Sequence, residues 1–254
     1  VWRPTNTVLD WLTARPIAHR GLHDLKQGRV ENSLPAFEAA IEHGYPIECD
    51  VQLSGDAEAM VFHDDTLDRV TEATGLVSSH TARQLTTIGY KHGKGTIATL
   101  PQMLDLVAGK VGLVIEIKSK WDGGTHLAVR VAECLENYQY DAAIMSFDPV
   151  PIAWAAECAP HILRGIVADG ATHEEYDALP LSARLSLREM RHANVTRPDF
   201  LSLDKDWLPC PVSREARAAG THVICWTIRS QLQASDALRW CDQITFEGYL
   251  PKVQ

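Results

Sequence analysis

Eight short apolar runs recur along the chain, at 16–19, 47–53, 111–118, 142–147, 162–168, 200–203, 222–228 and 243–246, and segments with helical periodicity separate them. Near-continuous apolar strands that alternate with helices predict a parallel sheet covered on both faces, because a parallel crossover needs about a dozen residues and usually takes a helix. Eight such units in 254 residues predict an α/β protein closed as a (β/α)8 TIM barrel. The helices carry their own punctuation. Asn32 and Ser33 offer caps before the apolar positions Leu34, Phe37, Ala40 and Ile41, and Gly44 follows as a stop. Similar signals bracket 100–108, 125–138, 150–159, 213–219 and 230–240.

One interval breaks the rhythm. Nearly sixty residues separate the second and third runs, among them a further strand-like segment, Met60-Val61-Phe62-His63, and a polar stretch rich in Thr and Gly. Loops after barrel strands tolerate insertions and form the active face, so residues 64–98 are expected to be a small insertion that covers a substrate. No repeat, low-complexity tract or Pro/Ser-rich linker interrupts the chain, which reads as one domain over 1–254.

The charge balance narrows the function classes. Against 24 Lys and Arg stand 33 Asp and Glu, a formal net charge of −9, which does not suit a basic face that neutralises nucleic-acid phosphates. No stretch approaches the roughly 20 apolar residues that span a bilayer. The six cysteines, Cys49, Cys134, Cys158, Cys210, Cys225 and Cys241, show no C-x-x-C spacing, so neither a zinc ribbon nor a redox pair is expected and a reducing, cytoplasmic setting is. The chain opens on Val1 rather than methionine, which leaves a removed leader, and a periplasmic or secreted protein, as alternatives.

The unusual polar residues fall at strand ends. His19 closes the first run, Glu48 and Asp50 stand two apart on the second, and Glu116 and Lys118 stand two apart on the third. Residues two apart on a strand share a face, and at the C-terminal ends of barrel strands they converge on the mouth where barrel enzymes place their chemistry. Carboxylates inside apolar runs are costly unless paired or metal-bound, so Glu48, Asp50 and Glu116 point to a hard divalent cation, Mg2+ or Ca2+. Zinc would need His19 and His63 as ligands and would leave no acid–base pair. The two histidines are the natural pair, because imidazole titrates near neutral pH. Arg20 adds a fork of donors suited to phosphate oxygens, and Lys118 adds a point charge. The other histidines, His23, His43, His80, His92, His126, His161, His173, His192 and His222, are read as surface residues.

These residues form a recognisable series. Ala18-His19-Arg20-Gly21, Glu31-Asn32-Ser33-Leu34-Pro35-Ala36-Phe37, Glu48-Cys49-Asp50-Val51, Val61-Phe62-His63-Asp64 with Thr66-Leu67-Asp68-Arg69, and Glu116-Ile117-Lys118 resemble, in order and spacing, the glycerophosphodiester phosphodiesterase family. The likeness is strongest over 16–118; Ser146-Phe147-Asp148 and Cys225-Trp226-Thr227-Ile228 extend it. The resemblance implies a metal-dependent barrel hydrolase that splits small-molecule glycerophosphodiesters into glycerol 3-phosphate and an alcohol. Glu48, Asp50 and Glu116 would hold the metal, His19 and His63 would exchange protons, and Arg20 and Lys118 would steady the phosphate. Trp226 would wall the glycerol carbons, although aromatic residues in barrels often belong to the core.

Several positions depart from the family pattern. Val30 stands where proline is usual, the 21–31 loop is long, Ser54-Gly55-Asp56-Ala57-Glu58 lacks an Asp-Gly pair, Arg229 replaces an asparagine, and Glu247 lies where an aspartate is common. Two rival readings share the same ligand set or fold: a lyase-like relative that releases a cyclic phosphate, and a non-catalytic barrel that binds phosphodiesters. Simple binding has no use for both an acid and a base, which favours an enzyme.

Overall fold

The computed structural model describes residues 9–172, 176 and 179–252; Val1 and His173 lie outside them. Within this span ten strands follow in order: β1 (Ile17–Ala18), β2 (Ile47–Leu53), β3 (Ala59–Val61), β4 (Ala98–Thr99), β5 (Leu113–Ile117), β6 (Ala142–Ser146), β7 (Leu163–Ala168), β8 (Phe200–Asp204), β9 (His222–Ile228) and β10 (Gln243–Phe246). Eight of them, all but β3 and β4, pair in parallel. The ring closes where Ala18 of β1 meets Phe246 of β10 on one side and Ile47 of β2 on the other. The eight apolar runs are therefore the eight staves of a (β/α)8 barrel, as expected.

Ten described helices accompany the strands: α1 (Asp10–Ala14), α2 (Leu34–Glu42), α3 (Ala82–Leu85), α4 (Leu100–Val107), α5 (His126–Leu135), α6 (Pro149–Cys158), α7 (Leu181–Arg188), α8 (Ala193–Thr196), α9 (Pro211–Ala218) and α10 (Gln231–Ala237). Ser33 caps α2 by accepting from the Ala36 N–H, and Asp148 caps α6 through the Val150 N–H, each satisfying a donor that a helix start leaves free. No helical periodicity marks α7. Its apolar residues, Leu181, Ala183, Leu185 and Leu187, alternate with polar ones, a strand-like spacing, and none of its residues is buried.

Alternation along the strands sorts side chains into two cores. Cys49, Val51, Ile115, Ile117, Leu201 and Val223 face outward onto helix residues such as Phe37, Leu104, Val131 and Ile152. Ile17, Val114, Ala143, Met145, Val167, Phe200 and Ile224 face inward, joined by Leu9 and Leu12. Gly165 is required here, because a Cβ at that point would stand 2.4 Å from the Phe200 ring. The interior beside α1 is thus packed and apolar, and the polar inward positions, Glu48, Asp50, Glu116, Ser202 and Thr245, lie further along the strands.

Residues between β2 and α4 form a separate layer on the barrel. β3 runs antiparallel to the end of β2, with Val51 opposite Val61, and β4 runs antiparallel to β3. Met60, Phe62, Leu67, Val77, Leu85, Tyr90 and Ile97 make a small apolar cluster there, completed by Val30 from the β1–α2 loop. Burying each such side chain contributes about 1.5–3 kcal/mol, which holds the segment against the barrel.

Candidate active site

The acidic cluster follows from register. Asp50 of β2 pairs with Glu116 of β5, and Glu48 faces the same way two residues earlier. One ligand oxygen from each of the three lies within 4.8 Å of the others, and all three residues are buried. Two cations lean on them. Lys118 Nζ is 2.9 Å from Asp50 Oδ1 and 2.6 Å from Glu116 Oε1, and Arg20 Nε is 3.2 Å from Asp50 Oδ2. Asn32, held at φ +55°, donates from Nδ2 to Asp50 Oδ2 at 2.8 Å and accepts the Asp50 N–H on Oδ1 at 3.2 Å. Arg20 is also left-handed, and this turns its backbone N–H onto Glu48 Oε2 at 3.0 Å.

Two cations do not neutralise three carboxylates, and the imbalance is visible in their acidity. Burial, and then the charges of Asp50 and Glu116, push the Glu48 carboxyl well above its ordinary range. Burial opposes ionisation of Asp50 too, but Lys118, His63, Arg20 and His19 hold its carboxyl far below the usual range. Burial likewise disfavours the Lys118 ammonium, and Asp50 with Glu116 more than offsets it, so its pKa rises. Glu48 Oε1 is buried with no hydrogen-bond partner. A residual negative charge, an orphaned carboxylate oxygen and an all-oxygen donor set fit a hard divalent cation.

Both histidines are oriented in the same way. His19 Nδ1 lies 2.5 Å from Glu247 Oε2, and its Nε2 points back to Glu48 Oε2 at 3.9 Å. His63 Nδ1 lies 2.7 Å from Asp64 Oδ1. A carboxylate only accepts, so each Nδ1 carries its proton and donates, which leaves Nε2 as the working nitrogen. Burial lowers the His19 pKa, and Glu247 only partly opposes this. Each orienting carboxylate is gripped by an arginine. Arg69 bonds Asp64 from Nε at 2.5 Å and from Nη2 at 2.9 Å, and Arg229 bonds Glu247 Oε1 from Nε at 2.8 Å. Burial works against ionisation of Glu247, but His19, His23 and Arg229 hold it far below the usual carboxylate range.

A cavity of about 670 Å3 opens over this array. His19, Arg20, Glu48, His63, Glu116 and Lys118 line it together with Met145, Phe147, Val167 and Trp226. Trp226 stands edge-to-face on Phe147, with ring centroids 5.5 Å apart, and donates from Nε1 to the Ser202 carbonyl at 3.1 Å. Seven of the eight residues singled out from the sequence thus border one cavity. The eighth, Asp50, lies just beneath, bound to Lys118 and Arg20.

Sequence reasoning did not assign Glu31, Asn32, Asp64, Arg229 or Glu247 to the site. Asp64 had a local signal, adjacency to His63, whereas Glu247 reaches His19 from 228 residues away. His23 is a correction: read as a surface residue, its side chain is only 22% exposed and its Nε2 sits 3.6 Å from Glu247 Oε2.

A sequence profile of the glycerophosphoryl diester phosphodiesterase family matches residues 19–249, which takes in the whole ring of strands after β1 and every residue of the site. The chain belongs to this family. A glycerophosphodiester phosphodiesterase of Caldanaerobacter subterraneus is 32% identical over 161 residues, or 59% of this chain and 65% of that protein, just under two thirds of its length. One from Bacillus altitudinis is 31% identical over 168 residues, covering 62% of this chain and 67% of the relative. Among solved structures, a phosphodiesterase from Oleispira antarctica in complex with the product sn-glycerol-3-phosphate superposes with a TM-score of 0.78 at 24% identity, covering 94% of this chain and 95% of that one. The glycerophosphodiester phosphodiesterase of Thermotoga maritima gives 0.71 at 24% identity, covering 91% and 94%. At that identity the two structures speak for the fold. Among the described residues no helix is long and apolar enough to cross a membrane.

Proposed function

We propose that this member of the phosphodiesterase family hydrolyses glycerophosphodiesters to glycerol 3-phosphate and an alcohol. The observation that carries the reading is the shared cavity: two histidines, each with Nδ1 on a carboxylate, open onto the same space as Glu48 and Glu116 of the buried acidic trio, an arginine and a lysine, with Asp50 just beneath. Glu48, Asp50 and Glu116 would hold a divalent cation, Mg2+ or Ca2+, whose charge would offset the negative charge that grows on the phosphoryl oxygens. Arg20 and Lys118 bind and orient the phosphate beside it. His19, kept neutral by burial, takes the proton of the nucleophile on Nε2, and the more open His63 gives a proton from Nε2 to the leaving alcohol. The indole of Trp226 and the Phe147 ring line the same cavity, where they pack against glycerol carbons and exclude water.

The test is phosphorus NMR of glycerophosphocholine turnover, with and without EDTA, repeated for His19→Ala and Glu48→Ala. Glycerol 3-phosphate is the expected product, with turnover lost in EDTA and in both variants. A cyclic phosphate that persists as the final product would convert the reading to a lyase, and full activity in EDTA would remove the metal from it.

A further inference from the structure

Two positions that depart from the family pattern, Arg229 and Glu247, meet in the fold. They follow the adjacent strands β9 and β10, and the next strand round the ring, β1, delivers His19. The two oxygens of Glu247 divide their work. Oε1 accepts from Arg229 Nε at 2.8 Å and lies 2.7 Å from Nη2, while Oε2 faces His19 Nδ1 at 2.5 Å and His23 Nε2 at 3.6 Å. A lone glutamate side chain has three rotatable bonds, and one bond to an imidazole does not fix its plane. The guanidinium on Oε1 supplies the second point: with Oε1 held by Arg229 and Oε2 by His19, both oxygens are fixed, and so is the plane of the carboxylate. Arg229 is itself anchored, its backbone N–H donating to Gln233 Oε1 at 2.7 Å at the start of α10.

We propose that Arg229 is a positioning residue for His19: by locking Glu247 it fixes the imidazole so that Nε2 faces the cavity and Glu48. The inference rests on the hydrolytic reading for its kinetic consequence and on geometry alone for its structural one. Arg229 is 58% exposed and outside both apolar cores, so its replacement leaves packing intact. What changes is orientation. The relay crosses four neighbouring staves in order, Arg229 after β9, Glu247 after β10, His19 after β1 and Glu48 on β2. Loosening its outer end spreads the orientation of the imidazole; Arg229 also borders the cavity, so kcat read against KM separates this effect from loss of a substrate contact.

The experiment pairs kinetics with a metal-independent readout. Arg229→Gln and Arg229→Lys are compared with the parent on glycerophosphocholine, and the His19 Nδ1–H proton is followed by NMR, assigned by its absence in His19→Ala. Arg229→Gln is expected to lower kcat about tenfold with KM within about twofold, in line with the cost of misplacing a reacting group, and Arg229→Lys to recover most of the loss. The Nδ1–H signal should broaden or shift in Arg229→Gln at an unchanged unfolding temperature. An unchanged kcat with an unchanged signal would overturn the proposal, as would a rise in KM alone, which would make Arg229 a substrate contact. Should the parent fail to hydrolyse the diester, the hydrolytic reading falls, and the Nδ1–H signal still decides the positioning role.

Discussion

Glu31 and Arg69 face each other between the β1–α2 loop and the segment laid over the barrel, with carboxylate oxygens 2.6 and 2.9 Å from two guanidinium nitrogens. Glu31 Oε1 also takes Arg20 Nη1 at 2.6 Å, and Arg69 also holds Asp64, the partner of His63. One carboxylate therefore links Arg20, through Arg69 and Asp64, to the second histidine. The covering segment is tied to the barrel through the site itself, so its fit and the orientation of His63 are the same structural fact.

That link makes stability depend on pH in a stated window. Burial raises the Glu31 pKa, but Arg69 and Arg20 win, and the carboxyl is pulled from its ordinary 4.5 down to about 2. A carboxyl lowered on folding stabilises fully above pH 4.5 and loses that contribution as pH falls from 4.5 toward 2. With Glu31 only 17% exposed, the difference is on the order of 3 kcal/mol. Urea unfolding of the parent and Glu31→Gln should show a large gap at pH 6 that narrows below pH 4.5. A gap that stays constant down to pH 3 would assign the loss to packing instead.

Gly21 carries a second prediction. Its φ is +79°, and a Cβ there would stand 2.8 Å from Phe37 Cδ1 and 3.0 Å from the Ala36 carbonyl carbon. Gly21→Ala combines left-handed strain with a clash against the start of α2, a cost of about 1–3 kcal/mol. Because the preceding residue places its N–H on Glu48, turnover should fall with stability. Denaturant midpoints and turnover measured together check this, and a variant as stable as the parent would show that the loop has slack.

The legible part of the site was its period-two part. Glu48 and Asp50 on β2 and Glu116 on β5 stand at alternate positions inside apolar runs, and a barrel strand converts that spacing directly into a shared face. His19 and His63 were readable as the last polar residues after such runs. Glu247 was not, because nothing local says that the residue after β10 will meet the residue after β1; only closure of the ring does. Arg229 and His23 were hidden for the same reason, since each meets His19 through Glu247, a carboxylate supplied by another element. Helix α7 is hidden because Leu181, Ala183, Leu185 and Leu187 alternate with polar residues, a period of two rather than about 3.6.

Asp64 should prove to be more than a neighbour of His63. Asp64→Asn keeps the size of the side chain but lets an amide N–H face Nδ1, which favours the tautomer with the proton on Nε2. It also weakens the hold of Arg69, which donates to both Asp64 oxygens. The expected result is a loss of at least about tenfold in kcat with a small change in KM. Steady-state kinetics decide it, and a variant with the parent's kcat would show that His63 needs no orienting carboxylate.

The acidic trio supports a prediction read without turnover. In the absence of a cation Glu48 is a buried carboxyl beside two others, with Oε1 lacking any partner, and this opposes folding. Mg2+ or Ca2+ at about 100 times its dissociation constant should then stabilise the protein by about 2.7 kcal/mol. For a chain of this size that corresponds to a rise of about 5–10 °C in Tm. Glu48→Gln should act oppositely in the two conditions: Tm unchanged or higher in EDTA, because a neutral amide removes one charge from the crowd, and no rise when the cation is added. Calorimetry over a cation titration measures both. A parent whose Tm ignores both cations, or a Glu48→Gln variant that still responds like the parent, would refute the assignment of this cluster as the metal site.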